Sequence, residues 1–231
     1  MSIFTNDGAL FLLRLTHLLA GVTWVGLLYY FNFVQVPYFG ETKTGLGTGE
    51  FRKLVVRALW WFRWAAMFTF LSGLAIYMMN LHTGMDAMGT WGVKISVGMT
   101  FGILMFLNVW LVIWPNQKVV IASADSVAAG GPADPNAAAA GARAFLASRT
   151  NTLFSIPMLF FMAAARHFDA MDADHAMKGL GIVTVLALAL EANALFGKKA
   201  VGPSKMLETV PGVIHSGLVL AVLSYLAIEL T

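Results

Sequence analysis

The sequence predicts an all-α integral membrane protein, a helical bundle of about six transmembrane helices with both termini periplasmic. The first observation is composition: 58% of the 231 residues are hydrophobic and 12% are charged, whereas a soluble domain carries about 25% charged residues. The mean hydropathy is +0.73. We therefore expect residues 1–231 to form a single membrane domain, surrounded by lipid, with no nucleic acid as partner.

The second observation is the number of long apolar runs. A spanning helix needs about 20 mainly apolar residues. The fourth run is the shortest, and we expect it to extend back along a helix from Pro135, with Asp134 as the N-cap. The six predicted spans are about Ala9–Val36, Ala58–Asn80, Trp91–Trp114, Asn151–Phe168, Met177–Gly197 and Val210–Leu230.

The third observation is the distribution of basic residues. Ten of the fifteen Lys and Arg residues fall in three alternate loops, which are cytoplasmic by the positive-inside rule. The connector at about 116–149 is rich in Gly, Pro and Ala and is predicted to be a flexible cytoplasmic linker followed by a short helix. The ten basic loop residues are Lys43, Arg52, Lys53, Arg57, Lys118, Arg143, Arg149, Lys198, Lys199 and Lys205.

The first span carries ionisable residues, which are costly within a membrane and usually face the bundle interior. Spacings of three, four and three place four residues on one helix face, namely Arg14, His17, Gly21 and Trp24. A neutral imidazole is a good axial ligand for haem iron. Gly21 would leave room for a flat macrocycle, and Arg14 would meet a haem propionate. We expect haem b on this face; the alternative is that His17 bonds a neighbouring helix while Arg14 snorkels to the interface.

Other polar residues are candidates for the same site or a second one. Lys94 enters from the outer end of span 3 and is expected to meet a propionate or to snorkel. We predict that His17 and His167 are the two iron ligands, because both lie toward the outer leaflet; the alternative for His167 is a surface histidine. His215 differs from His17 in depth by about 10–15 Å at 1.5 Å per residue, so it is a candidate ligand of a second, inner haem. Glu191 is expected to bond a polar neighbour within the bundle: Asn108, Arg63 or His215.

Several segments are similar to the membrane domain of bacterial urate hydroxylases, the urate oxidase N-terminal family. The second span contributes the pattern WWFRW…LSG, and the resemblance weakens from Met177 onward. The other segments are HLLAGVTWVG at His17–Gly26, PNQ at Pro115–Gln117, PADP at Pro132–Pro135 and SRTNTLFSIPMLFFMAAARHF at Ser148–Phe168. The resemblance implies membrane-bound oxidation of urate, with electrons passing to a fused or partner cytochrome c in the periplasm.

The WGVK segment at Trp91–Lys94, with the histidine pattern of span 1, also resembles a wider group of membrane haem proteins that includes the HemJ-type protoporphyrinogen oxidases. In that group the first-helix histidine ligates haem, which implies the same role for His17, and the group's lysine matches Lys94. The sequence has no cysteine, which excludes covalently attached c-type haem. The alternative function is a non-catalytic b-haem electron-transfer subunit, or a structural accessory subunit, of a larger respiratory membrane complex.

Overall fold

The structure is a computed structural model that describes residues 2–43, 46, 49–168, 173–198 and 201–230. Within these ranges the secondary structure is helical and no strand is present, which confirms the predicted all-α bundle. The α-helices are α1 (Asn6–Tyr29), α2 (Val36–Thr42), α3 (Gly49–His82), α4 (Thr90–Leu107), α5 (Trp114–Ala128), α6 (Ala137–His167), α7 (Ala173–Phe196) and α8 (Val210–Leu230).

Two of these helices continue through π-helical segments into the next helix. The segment Tyr30–Gln35 joins α1 to α2, and the segment Asn108–Ile113 joins α4 to α5. Each is followed by a proline at the second position of the next helix, Pro37 and Pro115. A proline has no N–H and its ring crowds the carbonyl four residues before it, so the preceding turn widens instead of breaking. The results are continuous helices of 37 and 39 residues.

The helix α6 runs antiparallel to the long helix formed by α4 and α5. At one end the backbone N–H of Asp134, just before α6, donates to Oγ of Ser123 at 2.9 Å. At the other end Nζ of Lys94 donates to the carbonyl of Phe168, just after α6, at 3.2 Å. The two helices therefore lie side by side over the full length of α6, and α6 returns the chain to the end at which α4 began.

Among the described residues, five helices are long and apolar enough to cross a membrane, and α6 is the predicted span that falls outside that set. Its polar stretch from Arg149 to Thr152 lowers its hydropathy, yet each residue there is at most 2% exposed. The helices α4, α5, α7 and α8 all pack on α6. Since these helices shield α6, its polar residues need not face lipid.

The prediction for the connector at 116–149 is confirmed in its second part, where the fourth span extends back as a helix nearly to Pro135, and is wrong in its first part, which is helical and not a flexible linker. The helix α5 continues to Ala128 and α6 begins at Ala137, because alanine favours helix and the two helices pack on each other. The predicted N-cap is also displaced: Asn136 is the N-cap, and the Asp134 carboxylate instead accepts from the Asn136 backbone N–H at 2.8 Å. Of the basic residues assigned to this loop, Arg149 lies buried within α6, and Lys199 of the next basic loop lies outside the described residues.

Candidate functional site

His17 is fixed by the helix that packs against its own. Its Nδ1 atom lies 2.9 Å from the carbonyl oxygen of Thr69 and 3.2 Å from the hydroxyl oxygen of Ser72, both on α3. A carbonyl oxygen only accepts hydrogen bonds, so Nδ1 carries the proton that Thr69 receives. The neutral ring then has its lone pair on Nε2. In metal sites this same contact of the distal ring nitrogen orients a ligating histidine.

The His17 side chain lines a cavity of about 410 Å³ between α1, α3, α4 and α6, here called the His17 cavity. This volume is within the range of small-molecule sites, about 300–1,000 Å³. Aromatic rings contribute much of its apolar wall, namely Trp24, Phe70, Tyr77 and Trp91. Tyr77 and Trp91 stack with their ring centroids 5.9 Å apart. The cavity thus offers flat apolar surfaces next to a ring nitrogen with an available lone pair.

Gly73 on α3 allows the imidazole to approach. A Cβ atom at this position would lie 2.8 Å from Cε1 and 3.2 Å from Nδ1 of His17, and real Cβ atoms do not come within 3.0 Å of another group. Gly73 also lines the His17 cavity. Because glycine has no side chain, the ring is able to occupy the position from which it bonds Thr69.

Two guanidinium groups belong to the same cavity, those of Arg14 on α1 and Arg166 on α6. Both side chains are exposed, so neither carries the cost of a buried charge. Trp24, by contrast, is 2% exposed, and its indole nitrogen has no hydrogen-bond partner in the part of the chain that the structure describes. The cavity therefore has two cations among its lining residues, and these suit an anionic ligand.

Besides His215, three predicted site residues do not line the His17 cavity. Gly21 faces α3, where a Cβ atom would meet Thr69 at 3.9 Å. Lys94 is 1% exposed, bonds the carbonyl of Phe168 and lies 5.7 Å from the centre of that ring. His167 ends α6 with an exposed side chain. Of the predicted face, Arg14, His17 and Trp24 are brought together, while the pairing of His17 with His167 stays a prediction.

His215 lines a different cavity, of about 480 Å³, between α6, α7, α8 and the 3₁₀ turn Gly202–Leu207, here called the His215 cavity. Each cavity has a wall on α6: Met158 and Met162 line the His17 cavity, and Thr150 and Leu153 line the His215 cavity. The two histidines therefore serve separate cavities on different sides of one helix.

The predicted partner of Glu191 is confirmed as Asn108. The Asn108 amide donates one hydrogen bond to Oε2 of Glu191 and another to Oδ1 of Asn151, both at 2.9 Å, and Asn151 donates to the carbonyl of Met105 at 2.9 Å. Asn108, Asn151 and Glu191 are at most 8% exposed. This cluster joins three helical elements. Buried polar groups are stable only when hydrogen-bonded, so these bonds hold the three elements together.

Each π-helical segment turns a buried asparagine toward α6. Asn108 begins the second segment and contacts Asn151, and Asn32 in the first segment donates to Oγ of Ser148 at 2.8 Å. Single π-helical turns occur often at functional sites. Beside Ser148, the Arg149 guanidinium is 2% exposed, and its Nε and Nη1 have no hydrogen-bond partner among the described residues. This polar stretch is the most buried polar region of α6.

Sequence reasoning missed three residues of the His17 cavity as site residues, namely Thr69, Gly73 and Arg166. Two of them lie in or beside motifs that the sequence analysis used. Gly73 is the glycine of the LSG pattern, and Arg166 adjoins the HF pair of the fourth span. Thr69 acts through its backbone carbonyl, so its side-chain type carries no signal. The contact requires α3 to pack beside α1, which is a tertiary property.

The comparisons with known proteins gave one match. The family model described as urate oxidase N-terminal matches residues 82–224, which is more than half of the chain. The matched region runs from the end of α3 into α8, so it includes the buried asparagine–glutamate cluster and extends past Met177, where the motif resemblance weakens. Spans 1 and 2, with His17 and Gly73, lie outside it. No curated protein and no solved structure gives a significant match.

Proposed function

Because the chain belongs to the urate oxidase N-terminal family, we propose that it is a haem b-binding redox protein of the bacterial inner membrane. In this proposal it oxidises urate or a similar small molecule and passes the electrons to a periplasmic cytochrome c. The observation that carries the proposal is the hydrogen bond from Nδ1 of His17 to the carbonyl of Thr69. That bond leaves Nε2 as the one ring nitrogen able to bind iron.

The residues of the His17 cavity fit haem b. In the described part of the chain no group of three or more His, Cys, Asp or Glu side chains is arranged to hold a bare metal ion. A single imidazole beside a flat aromatic cavity is instead the donor set for haem iron, which has four nitrogen ligands from the porphyrin. The guanidinium groups of Arg14 and Arg166 supply the donors that carboxylate groups need.

Each residue has a defined task in this proposal. A bound haem supplies one-electron oxidation and reduction. Thr69 fixes the tautomer and orientation of His17, and Gly73 admits the ring. Arg14 and Arg166 pair with propionates at the outer end of the cavity, where both are exposed and a carboxylate remains partly hydrated. Phe70 and Trp91 exclude water from the apolar part.

Besides His17, two kinds of side chain would be able to hold the iron of a bound haem. His167 is the predicted imidazole, and its neighbour Arg166 lines the cavity, so a rotation at the end of α6 would be needed to bring it in. Three methionines already line the cavity, namely Met99, Met158 and Met162. Iron with His and Met ligands has a higher reduction potential than iron with two His ligands, so the choice determines which donors the protein is able to oxidise.

The test is a visible spectrum of the purified protein, recorded oxidised, after addition of urate and after addition of dithionite. We expect a Soret band with α and β bands on reduction, and partial reduction by urate alone. The His82→Ala variant is the matched control for replacement of His17, because His82 ends α3 with an exposed side chain. Absence of a haem spectrum from protein made in haem-replete cells contradicts the proposal.

The second candidate is a b-haem subunit that carries electrons without its own substrate. The observation that favours it is the Asn108–Asn151–Glu191 cluster, whose side chains bond one another. Oδ1 of Asn108 is buried without a partner among the described residues, and the other polar atoms leave few groups for binding a purine. Haem that dithionite reduces and urate does not, over a range of urate concentrations and pH, supports this candidate instead.

A further inference from the structure

We propose that an anionic phospholipid binds between α3 and α5, with its phosphate held by Arg63 and Lys118 at the ring of Trp114. The guanidinium carbon of Arg63 lies 3.9 Å from the centre of the Trp114 ring, and Nζ of Lys118 lies 5.9 Å from the same centre. These three residues are here called the Trp114 cluster. They lie outside the His17 cavity, so the inference does not depend on the proposed redox function.

The Trp114 cluster has two positive charges and no negative one. The two distances together place the charged groups at most 9.8 Å apart, which is comparable to the Debye length of about 8 Å at physiological ionic strength. Among the described residues, the ion pair that joins α3 to α5 is formed by Arg52 and Asp125, at 2.6 Å. Asp125 is eleven residues beyond Trp114, about 16.5 Å along a helix axis. The two cations therefore repel each other, and an anionic ligand would neutralise them.

The N–H groups of Arg63 are accessible to a phosphate. Stacking on Trp114 engages the face of the guanidinium and leaves the donors around its edge, which bind phosphate oxygens in pairs. The Arg63 side chain is partly exposed, and its nitrogens are not enclosed, in contrast to Nε and Nη1 of Arg149. Lys118 is exposed, and its flexible side chain is able to bring Nζ to the same phosphate.

The depth of the Trp114 cluster matches the headgroup level of a bilayer. Trp91 and Trp114 lie 23 residues apart on one continuous helix, about 34 Å along a helix axis. The hydrocarbon core of a bilayer is about 30 Å thick, and tryptophan is enriched at both of its interfaces. Trp60 and Trp61 are exposed within one turn of Arg63. A phosphate at Arg63 would therefore lie where lipid headgroups lie.

The surface on the membrane side of the Trp114 cluster is apolar and suits acyl chains. Phe68 and Leu71 follow Arg63 along α3, and Leu111 precedes Trp114; these three apolar side chains are exposed. A free phosphate ion would gain nothing from this surface, whereas a phospholipid would place its acyl chains against it. A net anionic lipid is favoured, because the trimethylammonium group of phosphatidylcholine would add a third cation beside Arg63.

The bound lipid would connect two helices of the bundle. In the predicted orientation this end of the bundle faces the cytoplasm, where the leaflet surface is negative and basic sites between helices bind anionic headgroups. A phosphate between Arg63 on α3 and Lys118 on α5 bridges the two helices only in the folded protein. The lipid should therefore raise the unfolding temperature, because a ligand that binds only the folded state stabilises it.

The experiment measures thermal unfolding of the delipidated full chain in a nonionic detergent, with dioleoylphosphatidylglycerol or dioleoylphosphatidylcholine added to the micelles. Native mass spectrometry of the same samples counts the lipids that remain bound. We expect saturable stabilisation and one retained lipid per chain with phosphatidylglycerol, and neither with phosphatidylcholine. Inorganic phosphate at the same concentration should give no stabilisation, which distinguishes a lipid headgroup from a free anion.

Arg63→Gln and Lys118→Gln should each weaken phosphatidylglycerol binding about fivefold, the effect of one basic residue near an anionic membrane surface. Arg57→Gln is the matched control, because it removes the same charge from an exposed side chain of α3 outside the Trp114 cluster. Lys118 is exposed, so its replacement tests the site even if the Arg63→Gln protein unfolds. Equal binding of the two lipids overturns the proposal, and so does an equal loss of affinity in the Arg57→Gln and Lys118→Gln proteins. Stabilisation by inorganic phosphate alone overturns the assignment to a lipid.

Discussion

The imidazole of His17 packs directly against Gly73, where a Cβ atom would lie 2.8 Å from Cε1. The two residues are 56 positions apart in the chain, on α1 and α3. The contact places the ring between its carbonyl partner on Thr69 and the cavity. A side chain added at position 73 therefore tests whether the ring position is critical.

Gly73→Ala should displace the His17 ring without unfolding the protein. Overpacking of this kind costs about 1–3 kcal/mol, and the imidazole is the group that must move. We expect the haem content of purified protein to fall at least threefold and the Soret band to shift. Gly21→Ala is the control, because its Cβ atom would meet only a methyl group at 3.9 Å. Equal haem content in both variants would show that the ring position is not critical.

His17→Ala should remove the proposed iron ligand. We expect at least a tenfold loss of bound haem, with membrane insertion retained, since α1 keeps its apolar face toward lipid. Arg14→Ala should have a milder effect, because Arg14 is exposed and an exposed ion pair contributes little. Pyridine haemochrome assays of the detergent-purified variants measure both. Full haem occupancy in His17→Ala protein would remove this residue from the site.

The axial pair is distinguished by replacing the candidates separately. If His167 is the second ligand, His167→Ala should convert the reduced spectrum from low-spin to high-spin. If a cavity methionine is the ligand, Met158→Leu or Met162→Leu should do so and should lower the reduction potential. His215→Ala should leave the spectrum unchanged, because His215 lines the other cavity. A high-spin spectrum in that variant alone would place the iron at the inner site.

Asn108→Leu should destabilise the bundle without touching the His17 cavity. The change leaves Oδ1 of Asn151 and Oε2 of Glu191 without their donor, and each unsatisfied buried group costs about 1–3 kcal/mol. Thermal unfolding in detergent should shift to a lower temperature. Asn116→Leu is the control, since among the described residues its amide donates to the carbonyl of Val112, one turn earlier in the same continuous helix. A similar loss of stability in both variants would argue against a structural role for the cluster.

The orientation is tested with introduced cysteines, because the protein has none of its own. Gly130 lies in the short loop between α5 and α6, and Gly84 lies just after α3. In intact cells a membrane-impermeant thiol reagent should label Gly84→Cys and spare Gly130→Cys. Both positions have positive φ, so permeabilised cells and immunoblotting check that each variant is folded and reactive. The reverse labelling pattern would invert the assigned topology.

The sequence predicted the helical class, the approximate spans and, as one of three candidates, the partner of Glu191. These properties follow from local periodicity: a long apolar run has few alternatives to a membrane helix, and the spacing of Arg14, His17 and Trp24 fixes a common face on any α-helix. The Glu191–Asn108 bond was predictable for a related reason, because few polar residues within the membrane are available to a buried carboxylate. The sequence failed at the connector, where the length of α5 depends on packing against α6.

Only the tertiary structure decided which groups surround each polar side chain. The sequence set His17, Gly21 and His167 in one proposed site, but the packing of α3 on α1 turns Gly21 toward Thr69 and supplies Gly73 to His17 instead. The enclosure of α6 by other helices buries Arg149 and puts His17 and His215 in separate cavities. Helix formation depends on neighbours in the chain, whereas a binding cavity depends on contacts between distant segments, which no local pattern records.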